Sequence, residues 1–99
     1  MTPFQIEYYS RAKRDLEKLS DSREAVLIID AVSETLSENP FPKPPIKKRI
    51  QGISYPLFRL RVDTARDSYR VFYIFREKIV TILRIVKKKD ADKVIRALR

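Results

Sequence analysis

A run that alternates apolar and basic residues can hide its apolar half only by lying extended on a sheet. The stretch Leu57–Lys89, LFRLRVDTARDSYRVFYIFREKIVTILRIVKKK, does this three times in succession. In Leu57–Val62, Phe58, Leu60 and Val62 fall on one side and Arg59 and Arg61 on the other. A period of two gives a strand two chemically different faces. In Tyr69–Phe75, Tyr69, Val71, Tyr73 and Phe75 share a face, and Arg70, Phe72 and Ile74 share the other. Ile79–Val86 is apolar except at Thr81 and Arg84, which predicts a central strand covered on both faces. Arg76-Glu77-Lys78 is short enough for a hairpin, whereas DTARDS (Asp63–Ser68) predicts a longer, charged, mobile loop. The expected product is an antiparallel three-strand meander with one basic working surface, and the upstream residues pack behind it.

Those upstream residues supply a strand and two helices. Phe4, Ile6 and Tyr8 alternate with Gln5, Glu7 and Tyr9, a short half-buried strand. Ser10 is the expected N-cap of a helix to about residue 19, with Ala12, Leu16 and Leu19 on its buried face. Asp21 and Glu24 have capping-box spacing, and Ala25, Ile28, Ile29, Val32 and Leu36 continue as a helical stripe that Asn39-Pro40 ends. About three residues separate the helices, so they must turn back as an αα-hairpin. Pro40, Pro42, Pro44 and Pro45 make the next segment a stiff connector. It carries Lys47, Lys48 and Arg49 just before Gly52, the chain's one glycine, a position expected to need a backbone conformation other residues resist. Ala91, Val94, Ile95 and Leu98 predict a last helix from Asp90. The class is therefore α+β: an N-terminal strand, an αα-hairpin, the curved meander and a short C-terminal helix. With 99 residues, no repeat and no Gly/Ser-rich tract, residues 1–99 are expected to form one domain.

Inventory removes several chemistries. There is no Cys, hence no cross-link or thiolate, and no His, the usual general base near neutral pH and commonest metal ligand. The acidic residues show no paired arrangement that reads as a metal site, and no cofactor motif is present. No segment is long and apolar enough to span a bilayer, and MTPFQIEYY lacks the features of a signal peptide, so the expected location is cytoplasmic. The charge is lopsided. Residues 1–40 balance to −3 and residues 41–99 to +12, within a net +9. A basic half joined to a mildly acidic half points to a polyanionic partner, either nucleic acid or an acidic protein segment.

Four runs in order, KKRIQG (Lys47–Gly52), FRLRV (Phe58–Val62), SYRVFY (Ser68–Tyr73) and ILRIVKKK (Ile82–Lys89), resemble the RelE/ParE superfamily of toxins from toxin–antitoxin systems. The resemblance covers nearly the whole chain. Its RelE branch implies an mRNA endoribonuclease that cuts ribosome-bound message by metal-independent transesterification; its ParE branch implies a poison of DNA gyrase. Either implies a cognate antitoxin, whose disordered segment would fold around the toxin and set acidic residues against the basic face.

The resemblance also assigns roles. Arg59 and Arg61 fall at the scissile phosphate, Arg70 matches a phosphate clamp, and Lys89 matches the basic residue after the last strand. These four are the expected catalytic set. Lys47, Lys48, Arg49, Tyr69, Arg84, Lys87 and Lys88 are the expected RNA-binding set. For Arg84 the residues alone equally allow a structural arginine paired with an acid. For Tyr69, Phe72 and Tyr73 core packing competes with base stacking. Two departures bear on mechanism: arginines replace the RelE lysines at 59 and 61, and Ile95 stands near the position of a family tyrosine. Arginine is a poor proton acceptor. The base would thus be Lys47, Lys48 or Lys89 with a lowered pKa, Tyr69, or a ribosomal group.

Overall fold

The structure, a computed structural model, describes residues 3–99. Its elements are β1 (Gln5–Tyr8), α1 (Ser10–Glu17), α2 (Ser22–Leu36), β2 (Lys47–Arg49), β3 (Phe58–Asp63), β4 (Ser68–Arg76), β5 (Ile79–Lys87), a 3₁₀ turn (Lys88–Asp90) and α3 (Ala91–Leu98). Five strands form one sheet in the order β1-β5-β4-β3-β2. β3, β4 and β5 are the expected antiparallel meander, and β1 joins it parallel to β5. This is the α+β architecture expected from the strand and helix periodicities.

The period-two pattern sorts side chains as it should. Phe58, Leu60 and Val62 of β3, Tyr69, Val71 and Tyr73 of β4, and Val80, Ile82 and Ile85 of β5 pack under α1 and α2. On the other face a smaller core joins Ile50, Leu57 and Phe72 to Val94 of α3, flanked by Leu83, Val86 and Ile95. β5 is therefore covered on both sides. Complete burial of Ile28, Val32 and Leu36 stabilises the helix layer by about 1.5–3 kcal/mol each.

Several local features differ from the sequence reading. Ile29 is 40% exposed, because it lies about 100° around the helix from Ile28, and the line on the sheet is Ile28–Val32–Leu36. Tyr9, not Ser10, occupies the N-cap of α1. Asp21 caps α2 by accepting from the Arg23 N–H at 2.9 Å, but Glu24 does not complete a capping box. Its buried carboxylate instead accepts from the Thr64 hydroxyl at 2.6 Å and the Tyr69 hydroxyl at 3.1 Å. The β3–β4 connection is tight rather than loose: the Thr64 N–H donates to the Asp67 carbonyl at 2.9 Å, and the Thr64 hydroxyl accepts from two backbone N–H groups. Within the proline connector lies β2, which the prolines hide in the sequence; it pairs with β3, Lys48 opposite Arg59. Gly52 has φ +79°, as its uniqueness suggested.

A register shift between Phe72 and Tyr73 leaves Tyr73 opposite Ile82 and Phe72 opposite Arg84. Leu83 is thus the extra residue of a β-bulge, the kind of irregularity that re-aims neighbouring side chains. Here the Arg84 Nε reaches the Asp15 carboxylate on α1 at 2.9 Å.

Candidate nucleic-acid interface

On the sheet face away from α1 and α2 the side chains form a ladder. Arg59 lies opposite Phe72, Arg61 opposite Arg70, and Asp63 opposite Ser68. β2 adds Lys48 beside Arg59. α3 crosses the neighbouring part of this face, anchored by Val94 and by the Tyr55 hydroxyl, which donates to the Leu98 carbonyl at 2.7 Å. Between α3 and the ladder runs an open groove of about 960 Å³. Its cationic lining is Arg59, Arg70, Lys48, Arg49 and Lys88; Phe72, Ile50 and Ile95 give it an apolar floor, and Asp92 is its one carboxylate among the described residues.

The two sheet arginines are held tightly for charged groups. Arg70 is 7% exposed, and its Nη1 donates to the Tyr69 carbonyl at 2.9 Å. Arg59 is half-buried and donates to the Pro45 carbonyl at 3.3 Å. Burial, and then repulsion from Arg70 and Arg61, pulls the Arg59 guanidinium below its ordinary pKa. Burial likewise lowers Arg70, partly offset by Asp63. Guanidinium stays charged through such shifts.

The expected catalytic set is only partly brought together. Arg59 and Arg70 line the groove; Arg61 does not, because its Nε is held by the Asp63 carboxylate at 2.8 Å. Lys89 is exposed outside the groove, and Lys88 is the member of the triplet that enters it. Lys87 pairs with Asp67 at 3.2 Å. Of the expected RNA-binding residues, Lys48, Arg49 and Lys88 are on the groove. Lys47 is buried on the helix side, its Nζ donating to the Asn39 carbonyl at 2.6 Å. Tyr69 is bonded to Glu24 on that same side, and burial with the nearby carboxylate pushes its hydroxyl up to about 12. Arg84 is bound to Asp15, the structural alternative. Phe72 and Tyr73 are core residues, and the Tyr73 hydroxyl donates to the Pro40 carbonyl at 2.7 Å. Burial therefore removes Lys47 and Tyr69 from the candidate bases for chemistry in the groove.

Asp92 is the groove residue the sequence reading missed. Lys88, Ala91, Asp92 and Ile95 stand at i, i+3, i+4 and i+7, so one face of the turn and helix presents all four together. That spacing was the available signal. Among the described residues no cluster of three acidic side chains could hold a metal ion, and no helix is long and apolar enough to cross a membrane.

Fold and groove together define a small, basic α+β domain with a five-stranded sheet and one cationic groove. The architecture is similar to the toxin in the RelBE2 toxin–antitoxin complex of Mycobacterium tuberculosis, at TM-score 0.71 and 25% identity over 87% of this chain and 99% of that one. It is also similar to an arginine double mutant of Escherichia coli toxin RelE in the free state (TM-score 0.66, 14% identity, 98% and 99% covered). The archaeal RelE of the RelE–RelB complex from Pyrococcus horikoshii gives TM-score 0.58 and 20% identity over 89% and 97%. The sequence model for the ParE toxin of type II toxin–antitoxin systems, parDE, matches residues 6–92. The chain belongs to that family, and is a toxin of a type II toxin–antitoxin system in the RelE/ParE superfamily. Comparison with curated proteins yields no match.

Proposed function

We propose that the protein is an endoribonuclease that cleaves mRNA in the groove between β3–β4 and α3, with the ribosome presenting the message. The observation that carries this reading is the pair Arg59 and Arg70, partly desolvated and lining one groove, with at most a long carboxylate contact between them. Arg59 forms no salt bridge among the described residues, and Arg70 lies 4.0 Å from Asp63. Such a pair favours a phosphorane, whose charge exceeds that of the diester it forms from.

The reaction is a transesterification. The 2′-oxygen bonds to phosphorus as the bond from phosphorus to the 5′-oxygen breaks, leaving a 2′,3′-cyclic phosphate and a 5′-hydroxyl. Asp92 is the groove's carboxylate and takes the 2′-hydroxyl proton; the Lys88 ammonium supplies a proton to the departing 5′-oxygen. Ile95, on the groove wall, offers the flanking base an apolar surface. A RelB-type antitoxin segment, acidic and folding on binding, would compete for the same cations.

The test is induced expression followed by mapping of RNA 5′ ends, with Arg70→Ala beside the native chain. Loss of one charge-stabilising contact should slow cleavage by about 10²–10³. Unchanged cleavage would remove the reading. The match to ParE and the apolar Ile95 on the groove wall favour a second reading, a gyrase-directed toxin. Inhibited supercoiling by the purified protein, with mRNA intact in cells, would decide for it.

A further inference from the structure

The cations of the groove can hold a strand by its phosphates, but phosphate contacts carry no sequence information. A choice among bases needs a donor or acceptor at the base edge. Among the described residues, Gln51 is the one lining residue with a neutral group of this kind; every other is cationic, anionic or without a side-chain hydrogen-bonding group. Its side chain is exposed. The side-chain hydrogen bonds nearby are made by Lys47, Tyr55, Arg59 and Arg70, and none among the described residues engages the Gln51 amide. The backbone that carries it, by contrast, is fastened. Ile50 is buried in the smaller core, and its N–H donates to the Leu57 carbonyl at 2.8 Å. Gly52 turns the chain at φ +79°, yet a Cβ there would meet nothing within 4 Å, so this glycine serves the turn and not a close approach. The Tyr55 hydroxyl ties the same loop to the end of α3. A free amide on a fastened mount has what reading a base requires: a preset position and unspent hydrogen-bonding groups.

We propose that Gln51 selects the base beside the cut, and that the base it selects is adenine. The proposal rests on the RNA-cleaving reading above and adds a sequence preference to it. An amide presents a donor and an acceptor side by side, so its match is a base edge that carries an acceptor beside a donor. Adenine offers that pair twice, N6–H with N7 on one edge and N6–H with N1 on the other. On the N7 edge guanine offers two acceptors, and the pyrimidines have no matching pair there. The reach is suitable. Lys48 stands opposite Arg59, and Gln51 comes three residues later, roughly 10 Å further along at the rise of a strand. That is of the order of the step from a phosphate to the edge of a neighbouring base. Ile95 of α3 then covers the face of the base while Gln51 meets its edge.

The experiment maps RNA 5′ ends in cells expressing the native chain, Gln51→Ala or Gln51→Arg, with each cut counted against the base composition of the same transcripts. Native cuts should be enriched for adenine at one fixed position beside the break. Gln51→Ala should lower cutting at adenine sites about 5- to 150-fold, the worth of one bidentate base contact, down to the level at the other bases. Gln51→Arg should move the preference to guanine, whose O6 and N7 accept from both arms of a guanidinium. A variant that merely folds poorly cannot acquire a new preference. If native cuts show no enrichment for adenine, or if Gln51→Ala keeps it, the assignment of Gln51 is refuted while the nuclease reading stands. Equal loss at all four bases would also refute it, since the amide would then serve binding or folding instead of choice. No cleavage by the native chain would remove the nuclease reading and this one together.

Discussion

Arg84 and Arg59 both interrupt apolar strands, yet the structure gives them opposite tasks, and removing Asp15 should expose the difference. The Asp15 side chain is 7% exposed and that of Arg84 17%. One carboxylate oxygen accepts from the Arg84 Nε and the Ile85 N–H, each at 2.9 Å, and the other from the Arg84 Nη2 at 3.3 Å. Asp15→Ala leaves a largely buried guanidinium unpaired, a change that costs about 3–5 kcal/mol. At about 4–8 °C per kcal/mol for a domain of this size, the melting point should fall by roughly 12 °C or more. Replacing both partners removes the stranded charge. D15L/R84M should therefore return to within about 1–3 kcal/mol of the native chain, the remainder being the Ile85 N–H left without an acceptor. Urea denaturation followed by far-UV circular dichroism, combined as a double-mutant cycle, measures all of these. A loss below about 1 kcal/mol for Asp15→Ala, or an additive double variant, would refute the assignment of Arg84 to the interior. So would an Arg84→Met protein that melts normally but binds RNA less well.

Two further outcomes follow from the site and its surroundings. Asp92→Asn should keep oligonucleotide binding and lower cleavage by about 10²–10⁴, the range of one general base, as measured by single-turnover kinetics on a short RNA; equal losses in both would make Asp92 a binding residue instead. Stability should decline at both ends of the pH scale. Asp21, Asp63 and Asp67 are held below their usual range, chiefly by hydrogen bonds from Arg23, Ser68 and Ser68 respectively. Their contribution is complete above the unfolded carboxyl pKa near 4 and is lost as pH falls through the lower folded values. Tyr69 works in the opposite sense: with its hydroxyl at about 12 in the fold and near 10 unfolded, its contribution is lost as pH rises between those values. Thermal melts across pH, with Tyr69→Phe flattening the alkaline limb, check this.

How much could be read from the residues varied with how local the determining contact was. β3, β4 and β5 were legible because both faces are used, and a strand with two purposes writes them at alternate positions. Gly52 was legible because its backbone requirement is its own. β2 was not, since only pairing with β3 makes three residues beside a proline tract a strand. Glu24 had the spacing of a cap, and nothing local indicates that Thr64 and Tyr69 will claim it from another layer. At the site, the basic face was visible as alternating arginines, but membership in the groove was not. A bulge sent Arg84 to Asp15, an ion pair withheld Arg61, and the turn after β5 chose Lys88 over its neighbours. Asp92 went unnoticed because an acidic residue in the first turn of a helix already has a sufficient reason to be there.

The topology also sets a timetable. β1, near the start of the chain, lies beside β5, its Gln5 opposite Ile79, and the groove's far wall is built only from Lys88 onward. A nascent chain emerging from the ribosome can form its two early helices, but from the end of α2 at Leu36 the sheet they settle on is complete only at Lys87, some fifty residues later (at about 5–20 residues per second, a delay of several seconds). The cavity is therefore closed among the final steps of synthesis. A partner translated alongside it would meet the groove at about the moment the groove first exists.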